Sequence, residues 1–506
     1  MKLKPSSKGL LGLGTAVFLF YFVVKCLHFE RSDYTSDIFS HFQLSRDWLI
    51  GKPLFYENSF GFHSKFHNYF IDPLLGVFTY FFSAYGLFIA LFLGVIASLY
   101  AVIKLMEQRE ASFQSILLFV LIYTSPLSYF VFHNEHFGFH AEMLLVPLGL
   151  LFLSSSLQNS RWYWFWAFLI ILVKEDAVVV LWSIWVVIEW GKLHHREIHW
   201  KQFASRFAII SALCGLVLMA GMTWLRYQNN WGETRSGMLF QTFNEVPLAD
   251  IMASIQYLLL QRIQLTIGLL ILIYLYSGWR FTIGAILFSI PILALNFLSG
   301  LLYSLDGGVM IKNYFSLLWA PRLSMYWAYW LCVLVVSLMH SPRIIIYPKG
   351  ARSLACLLFG WAICQFQITF FKNCYVTRFS IGESIAEVFG PNIEFGLNPE
   401  FADAALIAKQ LPAHYPVAPM YRVFGAFHKQ DLVWLNAYQN AYYAPRMILA
   451  SYNKEEIPDV SSIMKHPLHM IYKEKLYIYT EAEDTVYVSR AGIHGEWTEI
   501  EIESEN

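Results

Sequence analysis

The chain has 506 residues, of which 57% are hydrophobic, 18% aromatic and only 14% charged. Soluble domains carry about 25% charged residues, so this composition argues against an ordinary soluble protein. The 36 lysines and arginines balance the 36 aspartates and glutamates, and a formal net charge of +0 argues against a nucleic-acid partner. The six cysteines form no C-x-x-C pair and mostly lie in apolar runs, which argues against a disulfide framework or a cysteine-based zinc site.

Repeated apolar stretches predict a polytopic α-helical membrane protein, because many of them are long enough to cross about 30 Å of hydrocarbon. The candidate spans, about eleven in all, are residues 9–27, 85–103, 113–132, 141–157, 162–173, 177–190, 207–225, 263–278, 281–302, 325–340 and 353–371. The N-terminal stretch has a basic start but lacks an A-x-A-type cleavage site, so we expect an uncleaved first span. The run 68–82 is a further candidate, interrupted by Asp72 and Pro73.

Lysine and arginine in the connecting loops predict the orientation of the chain. We place the basic N-terminus inside. The basic loops 191–206 and 341–352 then also lie inside, provided that the run 68–82 does not cross the membrane. We therefore predict that 68–82 is a re-entrant or surface helix. In this topology several polar segments share the outside, namely the first outer loop 28–67, the segment 133–140, the Lys-Glu-Asp corner 174–176 and everything after residue 372.

The C-terminal part of the chain is polar and has only short apolar runs. We predict a transmembrane domain over 1–371 and a small extracytoplasmic α/β domain over 372–506. The segment "FADAALIAKQL" has helical spacing and is expected to form a helix. The predicted strands are "YPVAPM", "DLVWL" and "RMILASY", followed by a closing hairpin of "LYIYT" and "DTVYVSR".

The first outer loop contains a predicted amphipathic helix that lies on the membrane surface. Ser36 is a suitable N-cap for this helix. Apolar side chains follow it at helical spacing, at Ile38, Phe39, Phe42 and Leu49.

Acidic residues at the start of this helix are candidates for catalysis. Asp33, Asp37 and His41 are spaced four apart, so a helix would place them on one face. A carboxylate there could act as the general base on an acceptor hydroxyl. It could also hold a divalent cation, with Asp37, Glu135 and His136 as the candidate ligands. The alternative is a solvated helix end with capping acids.

Three histidines and two glutamates lie between two apolar runs, at His133, Glu135, His136, His140 and Glu142. On a helix the three histidines share one face and the two glutamates share a second. His136 and His140 have metal-ligand spacing, although the H-E-x-x-H pattern of zinc proteases is absent. Protonated histidines can pair with phosphate, so phosphate recognition is one interpretation. An interfacial cluster that hydrogen-bonds lipid headgroups is the other.

The segment "LVKEDAVVV" interrupts a long apolar and aromatic stretch with three charged residues, Lys174, Glu175 and Asp176. The short apolar runs on either side, 162–173 and 177–190, are expected to form a hairpin of half-helices. Ionisable residues inside a membrane are costly and are functional by default. Lys174 could bind a phosphate as a point charge while an acid orients it. Alternatively, Lys174 neutralises one of the two acids and the corner is structural.

Two long segments, "NEHFGFHAEMLLVPLGLLFL" and "WAFLIILVKEDAVVVLWSIWVVIEW", resemble an uncharacterised prokaryotic membrane-protein family, the domain-of-unknown-function family 2079. That family carries a similar "FDFHPE" segment ahead of an "LKEDA" corner. The early "SDIFSHFQLSRDWLIGKPL" resembles its opening, and "IAKQLPAHYPVAPMYRVFGAFHKQDLVWL" resembles its closing soluble segment. The likeness touches both ends of the chain and is most specific across 133–180.

The family is similar to the membrane glycosyltransferases of the GT-C class, which have many spans, a key first-loop aspartate and a lipid-phosphate sugar donor. The resemblance implies that Asp37 matches this catalytic aspartate, with Asp33 as a second candidate. The family places a histidine before a proline, where this chain has Phe70 ahead of Pro73, and His67 stands one turn earlier. A prokaryotic family of this kind implies the bacterial cytoplasmic (inner) membrane.

We therefore hypothesise a membrane glycosyltransferase that uses a polyprenyl-phosphate sugar donor at the extracytoplasmic face, with membrane lipid as its surroundings. The donor phosphate would be bound by Lys174, His136, His140 and His133. The supporting polar residues would be Glu135, Glu142, Glu175, Asp176, His41 and His67. A transporter or flippase of a lipid-linked or small polar substrate is the alternative. A third hypothesis is a non-catalytic assembly protein whose C-terminal part binds a partner.

Overall fold

The structure is a computed structural model, which describes residues 3–30, 37–58, 61–63, 67–133, 138–228, 247–302, 320–339, 399–419, 423, 426–427, 430–432, 445–451, 468–473, 476–493 and 497–500. These residues form a mostly helical body with several apolar helices, and a small β-sheet near the C-terminus. At this level the predicted class, a helical membrane protein with a small α/β unit, is confirmed. The predicted boundary between residues 371 and 372 lies outside the described residues.

The helical body precedes the sheet along the chain. Its helices are α1 Pro5–Glu30, α2 Asp37–Arg46, α3 Asp72–Phe82, α4 Tyr85–Gln108, α5 Phe113–Tyr123, α6 Pro126–His133, α7 Leu145–Leu157, α8 Trp162–Val173, α9 Ala177–His194, α10 Trp200–Gln228, α11 Leu248–Ser277, α12 Trp279–Leu302 and α13 Ala320–Leu338. Single 3-10 turns cover Asp47–Ile50 and Ala141–Leu144, and the short strands β1 Tyr56–Glu57 and β2 Gly61–Phe62 pair in the first loop. The C-terminal unit contains α14 Pro399–Gln410, β3 Pro416–Pro419, β4 Asp431–Leu432, β5 Met447–Ser451, β6 Leu468–Lys473, β7 Leu476–Glu481, α15 Thr485–Arg490 and β8 Trp497–Ile500.

In the part of the chain that the structure describes, five helical segments are long and apolar enough to cross a membrane. They are Pro5–Phe29, Tyr85–Gln108, Ala177–His194, Trp200–Tyr227 and Trp279–Phe297. The pair α5 and α6 is bent by 42° at its break and counts as a sixth candidate. The predicted number of spans is larger because it also counts shorter apolar segments, namely Ala141–Leu157, Trp162–Val173, Thr266–Ser277 and Arg322–Leu338. The predicted span 353–371 lies outside the described residues.

Helix α3 corresponds to the apolar run 68–82 and is too short to cross a bilayer. Its 11 residues rise about 16 Å, roughly half of the hydrocarbon thickness. It packs against α4 in a tight hairpin. Glycine at position 86 permits this close approach, because a Cβ atom there would overlap the Phe78 backbone. Apolar side chains on its outer face are exposed, at Leu74, Val77, Tyr80, Phe81 and Phe82.

The helix predicted in the first loop is present as α2, but the prediction that it lies on a surface is wrong. Ile38 and Phe42 on one side are 0% exposed and pack in the apolar core. Gln43 on another side donates from Nε2 to the Leu432 carbonyl oxygen in the C-terminal unit, at 3.0 Å. The polar side of α2 therefore faces protein instead of water, since the C-terminal sheet covers it.

Helix α13 forms the centre of the helical body. It is buried on all sides over Arg322–Leu338, with Trp327 and Tyr329 0% exposed, and it contacts α7 and α9. Two of its buried side chains are hydrogen-bonded: Trp327 Nε1 donates to Ser128 Oγ at 2.7 Å, and Tyr329 Oη donates to the Ala285 carbonyl at 2.5 Å. Such pairing offsets the cost of burying polar groups in an apolar interior.

The C-terminal sheet has six strands in the order β4-β3-β5-β7-β6-β8. β3 runs parallel to β4 and β5, and the remaining neighbours are antiparallel. The predicted helix "FADAALIAKQL" is present as α14. The three strands predicted after this helix are present as β3, β4 and β5. The predicted closing hairpin is wrong in its second arm, because "TVYVSR" forms the helix α15, which ends before Gly492 at φ 75°. β7 pairs instead with β6, which precedes it along the chain.

Candidate functional site

The Lys-Glu-Asp corner joins α8 to α9. Lys174 ends α8 in an extended conformation, with φ −168° and ψ 159°, so the helical path breaks there and the three charged side chains diverge. Lys174 Nζ donates to Glu142 Oε1 at 2.8 Å. His67 Nδ1 lies 2.8 Å from Glu175 Oε1. Each charged residue of the corner thus finds a partner from a different part of the chain.

The third residue of the corner, Asp176, pairs with Arg322 at the start of α13. Arg322 Nη1 donates to Asp176 Oδ2 at 2.5 Å, and both side chains are largely buried. Lys174 therefore neutralises neither Glu175 nor Asp176, so the pairing expected in the structural alternative is wrong. The reason is the extended Lys174 backbone, which turns its side chain away from both neighbours.

The end of the first loop packs directly against the corner. Ile71 N donates to the Leu172 carbonyl at 2.8 Å, and Asn68 N donates to Glu175 Oε2 at 3.1 Å. Asn68 Nδ2 reaches the Gly221 carbonyl of α10 at 3.3 Å. These backbone contacts fix residues 67–72 beside the corner, and α3 then begins at Asp72.

A buried polar cluster forms where the first loop, the 138–144 segment and the corner meet. We use the term polar cluster for His41, Tyr69, Asp72, His140, Glu142 and Lys174. Glu142 is 0% exposed and accepts hydrogen bonds from both His140 Nδ1 and Lys174 Nζ. Lys174 Nζ also lies 5.7 Å from the centre of the Tyr69 ring, a distance at which a cation and an aromatic face attract.

The second half of the polar cluster is a histidine–aspartate pair between two short helices. His41 Nδ1 of α2 lies 2.7 Å from Asp72 Oδ2 of α3, and both side chains are buried. The His41 ring also packs edge-on to the Tyr69 ring at 4.7 Å and to the His140 ring at 4.9 Å, between centroids. The pair thus adjoins the imidazole that contacts Glu142.

Burial shifts the titration of two groups in the polar cluster. Burial raises the pKa of Asp72 above its ordinary value, although His41 and His140 oppose this shift. Asp72 Oδ1 is buried and has no hydrogen-bond partner among the described residues. Burial lowers the pKa of His140, against the opposing effect of Glu142. Burial thus disfavours the charged form of both groups, the carboxylate of Asp72 and the imidazolium of His140.

The predicted histidine face is wrong, because the segment does not continue as a helix. α6 ends at His133, Gly138 has φ 65°, and His140 is extended. His133 therefore lies away from the polar cluster, with its ring 4.5 Å from the His28 ring and 4.9 Å from that of Tyr129.

The end of α6 is stabilised by a buried lysine from α1. Lys25 Nζ donates to the carbonyl oxygens of Phe132 and His133, both at 2.8 Å, and also contacts the Gly138 carbonyl. A cation at a helix C-terminus satisfies carbonyls that have no helical partner and opposes the negative end of the helix dipole. Lys25 thereby contacts both the end of α6 and Gly138, which precedes the polar-cluster residues His140 and Glu142.

The predicted site residues divide into three groups. His41, His140, Glu142 and Lys174 come together in the polar cluster, and the His67–Glu175 and Arg322–Asp176 pairs flank it through the corner. His133 lies in its separate contact with His28. Asp33, Glu135, His136 and the Asp37 side chain lie outside the described residues, although Asp37 begins α2 one turn before His41.

The divalent-cation hypothesis is not tested by the described residues. Among them, no group of three His, Cys, Asp or Glu side chains is arranged to hold a metal ion. The predicted ligands Glu135, His136 and the Asp37 side chain all lie outside the described part of the chain.

Sequence reasoning missed three residues of the site, namely Tyr69, Asp72 and Arg322. Asp72 was visible as a charge inside an apolar run, which is the same signal that identified the Lys-Glu-Asp corner. Arg322 lies 146 residues from Asp176, and no local pattern reports a pairing at that separation. Tyr69 was one aromatic residue among 30 tyrosines.

The fold and the site thus define a helical membrane protein with a buried ionic site beneath a small α/β unit. No protein-family model matches the chain, and no curated protein matches it either. Among solved structures, the chain is similar to an Archaeoglobus fulgidus oligosaccharyltransferase in a complex with zinc and sulfate, with 10% sequence identity and a TM-score of 0.34. The alignment covers 93% of this chain and 73% of the oligosaccharyltransferase.

Proposed function

We propose that the protein is an integral membrane glycosyltransferase of the GT-C type that transfers a sugar from a polyprenyl-phosphate donor. The reaction takes place at the polar cluster. The protein lies in the bacterial inner membrane with its N-terminus inside, and the polar cluster and the C-terminal domain, residues 372–506, face the extracytoplasmic side.

The observation that carries the proposal is the convergence of ionisable side chains from four separate segments in one buried place. His41, Asp72, Glu142 and Lys174 are each at most 3% exposed. Burying several ionisable groups together is costly, and a fold retains such an arrangement most readily where chemistry uses it. A transferase needs a base for the acceptor and a cation for the leaving group, and the polar cluster offers both residue types.

The acceptor hydroxyl must lose its proton as it attacks the anomeric carbon. The proposed base is Asp37, as the resemblance implies, with His41 one turn further along α2 as the second candidate. His41 uses Nδ1 for Asp72, so its other nitrogen, Nε2, carries the lone pair in the neutral ring. An aspartate that fixes the tautomer of a histidine in this way favours its use as a base.

The bond from the anomeric carbon to the phosphate oxygen breaks as the new glycosidic bond forms, and the electron pair leaves with the polyprenyl phosphate. Lys174 and His140 stabilise the additional negative charge. Both already donate to the Glu142 carboxylate. Glu142 therefore positions two donors side by side, and the phosphate competes with Glu142 for them.

The test is transfer by membranes that contain the full-length protein, with a radiolabelled polyprenyl-phosphate hexose as donor and released polyprenyl phosphate as the readout. We expect Lys174→Met to lower the transfer rate by about 10²- to 10⁴-fold, the usual contribution of a charged electrostatic group or a general base. We expect a loss of the same size in one of the two single variants Asp37→Asn and His41→Gln, whichever removes the base. Lys104→Met on α4, a lysine that contacts Tyr100, is the matched control. Full transfer by both the Asp37 and His41 variants would remove the proposed base.

A transporter or flippase is the second candidate, because the bent pair α5 and α6 breaks between Tyr123 and Pro126 inside a candidate span. Transporters use such discontinuous helices at their substrate sites. Proteoliposomes distinguish the two functions: a transporter moves the lipid-linked sugar between leaflets without consuming it, whereas the transferase releases polyprenyl phosphate.

A further inference from the structure

A second cavity lies away from the polar cluster, where the end of α2 and the loop after it meet the C-terminal sheet. Its volume is about 330 Å³, within the range of roughly 300–1,000 Å³ typical of small-molecule sites. It is lined by Ile50, Gly51, Lys52, Pro53, Tyr56, His414 and Asp431. We call it the junction pocket, because its walls come from both the first loop and the C-terminal unit.

The polar wall of the junction pocket is held by a network of ion pairs. Lys52 Nζ donates to Asp431 Oδ1 at 2.7 Å and to Asp47 Oδ2 at 3.0 Å. His414 Nδ1 lies 3.2 Å from the same Asp431 oxygen. Asp431 has a side-chain exposure of 1%, and Arg46 Nη2 lies 2.6 Å from Asp47 Oδ1. A buried carboxylate that is shared by two donors holds them in a fixed geometry.

Two residues of the pocket wall, Gly51 and His414, have positive φ angles. His414 has φ 64°, in the left-handed region that non-glycine residues rarely adopt, and its side chain is 45% exposed. Gly51 has φ 92°, which turns the chain from the 3-10 turn into the wall. Non-glycine residues in this region are strained and cluster at ligand sites. The half-exposed His414 ring, fixed by a buried carboxylate, is thus presented to the cavity.

We propose that the junction pocket binds a neutral saccharide unit. In the wall Lys52 pairs with Asp431, and the adjoining Arg46 pairs with Asp47, so the charges balance and no excess charge selects an anion. The mixed donors and acceptors suit a ligand with several hydroxyl groups. Ile50, Pro53 and the Tyr56 ring supply the apolar surface against which the face of a sugar ring packs.

Position suggests the role of this saccharide, and this step depends on the proposed transferase function. From His41 to Ile50 the chain follows five helical and four 3-10 steps, a rise of about 15 Å along the axis. A saccharide in the junction pocket therefore lies about 15 Å from His41 along this path, a distance that a single sugar ring does not span. It is the distal part of an extended acceptor whose reactive hydroxyl reaches the cluster.

The experiment uses the full-length protein in lipid nanodiscs and measures binding by saturation-transfer NMR. The probes are methyl α-glucopyranoside, methyl α-mannopyranoside and methyl α-galactopyranoside, with glucose 1-phosphate as the anionic arm. We expect saturable binding of at least one methyl glycoside, with weaker binding of the sugar phosphate. His414→Ala and Asp431→Asn should each weaken it roughly fivefold to tenfold, as expected for the loss of one hydrogen bond.

His199→Ala replaces an exposed histidine between α9 and α10, and should leave binding unchanged. Absence of saturable binding for all three methyl glycosides, preference for the sugar phosphate, or equal binding by the His414→Ala variant would each overturn the proposal. Failure of sugar binding with normal transfer would leave the transferase standing, whereas sugar binding without transfer would leave the pocket standing alone.

Discussion

Removing one partner of the buried Glu142–Lys174 pair should destabilise the protein far more than removing both. The two side chains are 0% and 4% exposed, with their charged atoms 2.8 Å apart. In Glu142→Gln the buried lysine has lost the carboxylate that compensates its burial. In the double variant Glu142→Gln/Lys174→Met, the buried charge is gone and the methionine fills most of the space.

The magnitude follows from the cost of an uncompensated buried charge. Breaking a buried pair at one partner costs about 3–5 kcal/mol of unfolding free energy, whereas replacing the whole pair is often close to neutral. Lys174→Met should cost less than Glu142→Gln, because Glu142 keeps His140 as a donor. The double-mutant cycle should therefore give a coupling of at least about 2 kcal/mol.

Denaturation of the purified protein in mixed detergent micelles, followed by tryptophan fluorescence, measures the four unfolding free energies. A second cycle on Arg109 and Glu197 is the control, since this pair is 39% and 41% exposed with atoms 3.7 Å apart. Exposed pairs contribute about 0–1 kcal/mol, so that cycle should show little coupling. If the two substitutions at Glu142 and Lys174 simply add, the charges do not depend on each other and the polar cluster is not a single unit.

Three further changes test other parts of the structure. Gly86→Leu should lower the thermal unfolding temperature, because a Cβ atom at this position would overlap the backbone of α3. Gly12→Leu is the control: a Cβ atom there has no other atom within 4 Å, so the unfolding temperature should not change. Wild type should gain stability relative to Asp72→Asn as the pH falls through the raised pKa of Asp72 towards the ordinary aspartate value. A carboxyl whose folded pKa is raised binds its proton more tightly when folded, so the cost of its charge is relieved below that pKa. A pH-independent difference in unfolding temperature would contradict this. Lys52→Met removes the ion pair with Asp431 and should speed protease cleavage between the C-terminal unit and the helical body; unchanged cleavage would show that the pair does not hold the two together.

The corner and its neighbourhood could be predicted from the sequence because charge inside an apolar stretch is a local signal. Lys174, Glu175 and Asp176 interrupt an apolar run, and a one-sided topology placed them near the first loop and the 133–142 segment. The structure pairs Lys174 with Glu142 and Glu175 with His67, while His41 lies in the same polar cluster through Asp72; the side of the membrane on which they lie stays a prediction. The argument required only which side of the bundle each loop occupies.

The pairing within the site could not be predicted, because helical periodicity reports a face and not a distant partner. Glu142 pairs with Lys174 across 32 residues, and Arg322 pairs with Asp176 across 146. The same limit explains the error at His133: its helical spacing to His140 is real in the sequence, but α6 ends there and Gly138 turns the chain. The end of α6 and the extended His140 thus leave apart two residues that a continuous helix would have placed on one face.

Short elements in the C-terminal unit were predicted less well, because a few residues carry too little periodicity. "TVYVSR" is rich in β-branched and aromatic residues, which favour strands. It forms α15 instead, because its position packs Val488 into the core against α14. Tertiary contacts decide the conformation of a six-residue segment more readily than that of a long amphipathic helix.

Helix α2 links the two candidate sites, and this follows from its geometry. His41 and Gln43 are two residues apart, about 200° around the helix, so they face opposite sides. His41 reaches Asp72 in the polar cluster, and Gln43 reaches the Leu432 carbonyl beside the junction pocket. Asn58 donates to that same carbonyl at 3.0 Å, which fastens the loop after α2 as well. A displacement of the C-terminal unit must therefore move α2, and with it the imidazole that adjoins the proposed donor site.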